Sequence, residues 1–171
     1  MSTYVIKDIE KVNRERVERL CVALESGQFT QTNSALRDHK GNCCLGVACT
    51  LVDPDRWIEI LDTWYYMQPH VDLDDYDAEG RNEDDIFIPS STEYPPQDII
   101  DWYGFRTENP EVYVTCNEID RDTEQCVNGT ACERCHGAAT MDGITTLVAL
   151  NDEFHWSFIE IATVIRKTYL S

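Results

Sequence analysis

The chain has 171 residues; 42% are hydrophobic and 8 are cysteines. Its 14 Lys and Arg are set against 32 Asp and Glu, a formal charge of -18. That excess repels nucleic-acid phosphates, whose binding needs cationic side chains to displace counterions, and it steers the chain towards partners with a basic surface. The length suits one domain, which buries about 70% of the surface its unfolded chain exposes and needs no covalent staples. No apolar run is long enough to span a bilayer, so no membrane association is expected. The alternation of charged and apolar residues from Lys7 to Arg19 lacks the continuous apolar core of a secretory signal, which leads us to expect a cytosolic protein. In a reducing compartment the cysteines are free thiols or metal ligands rather than disulfides. The Asn128-Gly129-Thr130 glycosylation match then has no meaning.

Val17, Leu20, Cys21 and Leu24 recur at helical spacing and predict a helix from about Asn13 to Glu25, ended by Gly27. Phe29 to Gln31 and Ser34 to Arg37 read as extended. Asp38-His39-Lys40-Gly41 supplies turn chemistry, and Asn42 to Leu45 reads as the return strand. Cys44, Val47, Ala48 and Leu51 then have helical spacing. Gly46 inside that helix implies close approach by another backbone, and Asp53-Pro54 stops the helix. Trp57, Ile60, Leu61 and Trp64 form a further helical stripe.

An acidic loop is expected over 70–85. It contains Asp72, Asp74, Asp75, Asp77, Glu79, Glu83, Asp84 and Asp85 against the single base Arg81. Calcium would need an ordered loop closed by a bidentate Glu, which is absent, so a solvated loop is the reading. Ile86 to Pro89 suggests a short strand. Pro96 opens a helix carrying Ile99, Ile100, Trp102 and Tyr103, which Gly104 ends. Glu111 to Thr115 reads as a strand, and Leu147, Val148 and Leu150 lie on a helix broken at Asn151-Asp152. The last helix starts at the capping box Ser157…Glu160, with Trp156 and Ile161 placed as its staple. Its buried face is Phe158, Ile161, Ala162, Ile165 and Tyr169, while Arg166 and Lys167 complement the helix dipole. Helices outnumber strands. The expected class is α+β: a helix-rich single domain over 1–171 with a small antiparallel sheet and a Cys-rich inserted loop at 116–137.

That loop holds Cys116, Cys126, Cys132, Cys135 and His136. Its few apolar residues cannot order it by core burial. A tetrahedral zinc would supply the cross-link, since thiolate ligation couples directly to folding. The two-residue gap in Cys132-Glu133-Arg134-Cys135 lets both sulfurs reach one ion, and His136 can replace a cysteine as ligand. The wide gap from Cys116 to Cys126 departs from a zinc ribbon, and four ordinary thiols remain the alternative. Cys132 to His136 also spells a covalent haem attachment pattern, but that chemistry needs export, which nothing here signals.

The junction from Leu36 to Cys49 carries two further arrangements. Cys43 could act as a nucleophile with His39 as base and Asp38 orienting it, although these three are neighbours and catalytic partners usually converge from distant segments. Arg37, Asp38 and Asn151 could bind a small anionic molecule. His70 and His155 add possible bases without recognisable spacing. Leu147 to Ile165 has the cadence of a helix-turn-helix, but Asp152, Glu153 and Glu160 place the wrong charge where DNA would lie.

Leu36-Arg37-Asp38 followed by Gly41-Asn42-Cys43-Cys44-Leu45-Gly46-Val47-Ala48-Cys49 resembles a pattern found in uncharacterised proteins of tailed bacteriophages. Pro95-Pro96, Trp102-Tyr103-Gly104, Asn109-Pro110, Leu150-Asn151-Asp152, Ser157-Phe158 and Glu160-Ile161-Ala162 continue the likeness in the same order. Residues 116–137 depart from it and read as an insertion. The resemblance implies a phage gene product acting in the bacterial cytoplasm, and brings no catalytic residues. The leading expectation is a non-enzymatic, acidic accessory protein. It would bind a host or phage macromolecule through the acidic loop and inhibit a defence or nucleic-acid-processing protein. The alternative is a small-molecule binder or cysteine-dependent enzyme built on the Leu36 to Cys49 junction.

Overall fold

The structure, a computed structural model, describes residues 11–69, 90–116, 118–120, 122–123, 125–133, 135–140 and 143–171. The acidic loop with Asp72, Asp74, Asp75, Asp77, Glu83, Asp84 and Asp85 lies outside these residues, as do His70 and the strand expected over 86–89.

Helix α1 (Arg14–Glu25) begins where the Asn13 side chain accepts a hydrogen bond from the Arg16 N–H, satisfying one of the free amides of the first turn. Its apolar stripe of Val17, Leu20, Cys21 and Leu24 is buried, as the spacing predicts. Helix α2 (Cys44–Val52) is apolar along most of its length and buried from Cys44 to Cys49. Such a helix has no solvent face and has to sit at the centre of the fold. α1 packs across it, and helix α3 (Gln97–Tyr103) lies against both. Two buried tyrosine hydroxyls donate to carbonyls of α2: Tyr66 to Cys49 at 2.9 Å and Tyr103 to Ala48 at 3.1 Å.

Gly46 explains how the preceding chain crosses α2. A Cβ built there would stand 1.7 Å from the Leu36 carbonyl oxygen, so only glycine admits the crossing. The return strand expected over Asn42 to Leu45 is replaced by isolated bridges from Asn42 to Gln31 and Arg37, and the helix begins at Cys44. Cys43 is its N-cap, and the Sγ accepts from the Gly46 N–H at 3.4 Å.

The stripe from Trp57 to Trp64 is not helical. It forms the hairpin β1 (Trp57–Ile60) and β2 (Thr63–Met67), paired antiparallel with Trp57 opposite Tyr66. Leu61 and Asp62 make the turn with φ of 49° and 63°, the left-handed pair that matches strand twist. Trp57 and Tyr66 meet edge to face at 4.9 Å. Strand β3 (Ser90–Ser91) extends this sheet beside β2.

A second antiparallel pair joins β4 (Glu111–Tyr113) to β5 (Ile144–Thr146), the latter unforeseen in the sequence. The chain then turns through a wide helical turn at Ala149–Glu153 into α4 (Phe158–Ile165), which continues as a π-turn over Arg166–Leu170. The capping box is present: the Ser157 side chain accepts from the Glu160 N–H, and the Glu160 carboxylate accepts from the Ser157 N–H. Phe158, Ile161, Ala162, Ile165 and Tyr169 are buried against α1 and its neighbours, the phenylalanine and the two isoleucines each contributing about 1.5–3 kcal/mol of transfer free energy when fully buried. The Cys21 thiol donates to the Ala162 carbonyl at 3.6 Å across this contact. Arg166 bonds Glu18 at 2.9 Å and also pairs with Glu25, both on α1, a specific cross-link beyond any dipole effect. The described residues form an α+β domain with helices dominant and two small antiparallel sheets.

Candidate metal centre

Between β4 and β5 the chain makes an excursion that contains four cysteines. Cys116 follows β4 after Val114 and Thr115. The next residues form a small hairpin: the Asp120 N–H donates to the Gln125 carbonyl and the Val127 N–H to the Glu118 carbonyl, each at 2.8 Å. Asp120 closes its tip by accepting from the Asp122 and Thr123 N–H groups. This hairpin returns Cys126 to Cys116, so the wide sequence gap is folded away. A single 3-10 turn at Gly129–Ala131 then delivers Cys132. His136 and Gly137, with φ of 49° and 86°, turn the chain back immediately after Cys135.

The Sγ atoms of Cys116, Cys126, Cys132 and Cys135 all lie within 4.8 Å of one another. Cys116 is 3.7 Å from both Cys126 and Cys132. Four sulfurs bound tetrahedrally at about 2.3 Å from one ion stand about 3.8 Å apart, so these separations are those of a ligand set with little adjustment needed. They are far longer than a disulfide bond, and none of the eight cysteines is in a disulfide. Cys126, Cys132 and Cys135 are buried and Cys116 is half-buried. The cluster can therefore hold a metal ion.

Backbone amides support the same conclusion. The Glu118 N–H points at the Cys116 sulfur at 3.4 Å. The Asn128 amide also favours ionisation of Cys126, and the Gly137 and Ala139 amides favour that of Cys135. Such donors favour the ionised form, whereas burial disfavours it. Burial is the larger effect in the bare chain and pushes the Cys135 thiol up to about 12. A cation among the sulfurs reverses that balance. Four protein ligands leave no coordination position for water or substrate, which is the pattern of a site that holds structure.

His136 does not join the sulfurs as a fifth donor. Its Nε2 lies 3.2 Å from Glu160 Oε1, and its ring meets Trp156 edge to face at 5.9 Å. Through these contacts the cysteine excursion is fastened to the start of α4. Burial opposes ionisation of Glu160, but the Ser157 hydroxyl and N–H and the His136 ring together hold its carboxyl below the usual range. The Trp156 indole N–H is buried with no acceptor among the described residues, a state that costs about 1–3 kcal/mol.

The junction residues have different surroundings. Cys43 is buried and His39 is exposed, with no hydrogen bond between them. Cys44 is fully enclosed, and its neighbour Cys43 together with burial raises its pKa far above that of a reactive thiol. Asp38 accepts from the Lys40 and Gly41 N–H groups at 2.7 and 2.9 Å and from the Thr32 hydroxyl, fixing the turn. Asn151 is fully buried; it accepts from Gln31 at 2.9 Å and donates to the Thr32 carbonyl at 2.8 Å. Arg37 lies on the Trp64 ring at 3.9 Å, with Trp57 beyond at 5.5 Å. These are contacts of a packed junction.

Fold and site together define an α+β domain with a four-cysteine clasp inserted between two strands. The chain belongs to the family described as a domain of unknown function, DUF8296, whose sequence profile matches residues 12–169 and so spans the clasp. No curated protein and no solved structure matches it. No helix among the described residues is long and apolar enough to cross a membrane.

Proposed function

We propose that this is a non-enzymatic, zinc-clasped acidic protein. It is encoded by a tailed bacteriophage and acts in the bacterial cytoplasm by binding a host or phage protein with a basic surface. The observation that carries the reading is the closed set of four sulfurs, which suits zinc as a structural cross-link and leaves no place for a reacting group. Thiolate donors in a tetrahedral set select zinc or an iron–sulfur centre over harder ions, and a colourless protein containing zinc distinguishes the two. The separation of Cys43 from His39 and the tight crossing at Gly46 weigh against a small-molecule or cysteine-enzyme site at the junction.

The charge of -18 supports a basic partner and weighs against direct nucleic-acid binding. Asp72, Asp74, Asp75, Asp77, Glu83, Asp84 and Asp85 are the proposed contact residues. Their density suits inhibition of a defence or nucleic-acid-processing protein by imitating a phosphate backbone. Two experiments test the reading. Elemental analysis of the purified, reduced protein should find stoichiometric zinc, lost on Cys132→Ser; absence of metal would refute the clasp. Crosslinked capture from host lysate should recover a basic protein, with recovery weakened by salt and by charge reversal at Asp72, Asp74 and Asp75. Capture indifferent to both would remove the acidic residues from the account.

A further inference from the structure

Beside the clasp, an open groove of about 310 Å³ runs between one face of α4 and the chain leaving β4. Its floor is apolar, with Val114 and Val164 buried. Ile159 stands at its lip with 61% of its surface exposed, beside this apolar floor. Glu133, between two of the clasp cysteines, and Glu160 add carboxylates. We propose that this groove seats an extended segment of another protein, taking one apolar side chain on its floor and a Lys or Arg against Glu133 and Glu160.

Charge and size select this occupant. Glu133 is exposed, with no ion pair or hydrogen bond to another of the described residues. The groove's own cation, Lys167, is already tied to the Thr115 hydroxyl at 2.8 Å. The field of the whole chain adds to the pull on a cation. The volume is at the small end of ligand sites, too small for a large cofactor but enough for one or two side chains. A free metal cation would leave the apolar floor unused. Trp156 also lines the groove and adds to its apolar surface. Because Glu133 is held between Cys132 and Cys135, a metal in the clasp would shape this wall, and binding should depend on it.

The inference rests on the binding-protein reading above and specifies where a segment of the partner lies. A displayed library of random linear peptides, selected against the zinc-loaded full chain, tests it. Enriched sequences should carry a Lys or Arg next to an apolar residue. Ile159→Asp and Glu133→Lys should each weaken the selected peptide by on the order of tenfold or more, as should chelation of the metal. Val22→Asp, on the exposed side of α1, should leave it unchanged. No enrichment, enrichment without a basic residue, or equal affinity for Ile159→Asp and Glu133→Lys would overturn the groove. If the peptides fail while lysate capture still depends on the acidic residues, the groove falls and the binding reading stands. Peptide binding that follows these variants, with no lysate partner captured, supports the groove and refutes the host-partner reading.

Discussion

Gly46 shows how a single missing side chain sets the centre of this fold. The Leu36 carbonyl occupies the space a methyl would need, and backbone there cannot give way without moving the turn that Asp38 fixes. Gly46→Ala should therefore cost about 3 kcal/mol or more, at the upper end of overpacking effects, read as a lowered denaturant midpoint. Near-native stability would show that the crossing can relax. Cys21 supports a second prediction. Burial between α1 and α4 pushes its thiol from the usual 9.0 up to about 12. Above about pH 9 the unfolded chain gives up this proton while the native chain keeps it, so native protein binds more protons and stability falls as pH rises. Burial raises Cys49, Tyr66, Tyr103 and Tyr169 in the same direction, and the Cys43 contact together with burial raises Cys44, which reinforces the trend. Denaturant midpoints should decline steadily across this alkaline range, most clearly up to the folded value of about 12, and Cys21→Ala should lessen the slope. A flat profile would contradict the assignment.

Among the elements, the α1–α4 contact is joined at its edge by Arg166, which reaches both Glu18 and Glu25. All three side chains are partly exposed, so Arg166→Met should cost only about 1 kcal/mol, less in high salt. A larger, salt-independent loss would mean the arginine stem packs more than it pairs. α1 and α4 were legible because their apolar residues repeat at helical spacing and Asn13 and Ser157 announce their starts. The β1–β2 hairpin was not. Trp57, Ile60, Leu61 and Trp64 fall by accident at helical intervals, and the turn uses Leu61-Asp62 instead of the glycine or asparagine that usually marks a left-handed pair. Enrichment in aromatic and β-branched residues from Trp57 to Tyr66 was the signal that spacing outweighed. At the clasp, the pair Cys132 and Cys135 could be read directly, but convergence with Cys116 and Cys126 depends on a hairpin whose only sequence mark is the turn-forming Asp120.

For the whole molecule, one buried core runs on into the clasp: Cys126, Cys132, Cys135, Ala138 and Ala139 belong to it, and a metal would add a cross-link at this edge. The core extends from α1 to α4 and includes Val112 and Leu147 on either side of the excursion. Removing the metal should therefore loosen the excursion and the His136 contact with Glu160 while leaving the main unfolding transition in place. Hydrogen exchange after chelation reads this: protection should drop around Val127 and Ala139 and persist in α1 and α2. X-ray absorption at the zinc edge reads out whether four sulfurs close around the ion. We predict four sulfur neighbours at about 2.3 Å and no nitrogen or oxygen. A shell containing water or histidine, or reduced protein that binds no zinc, would contradict it.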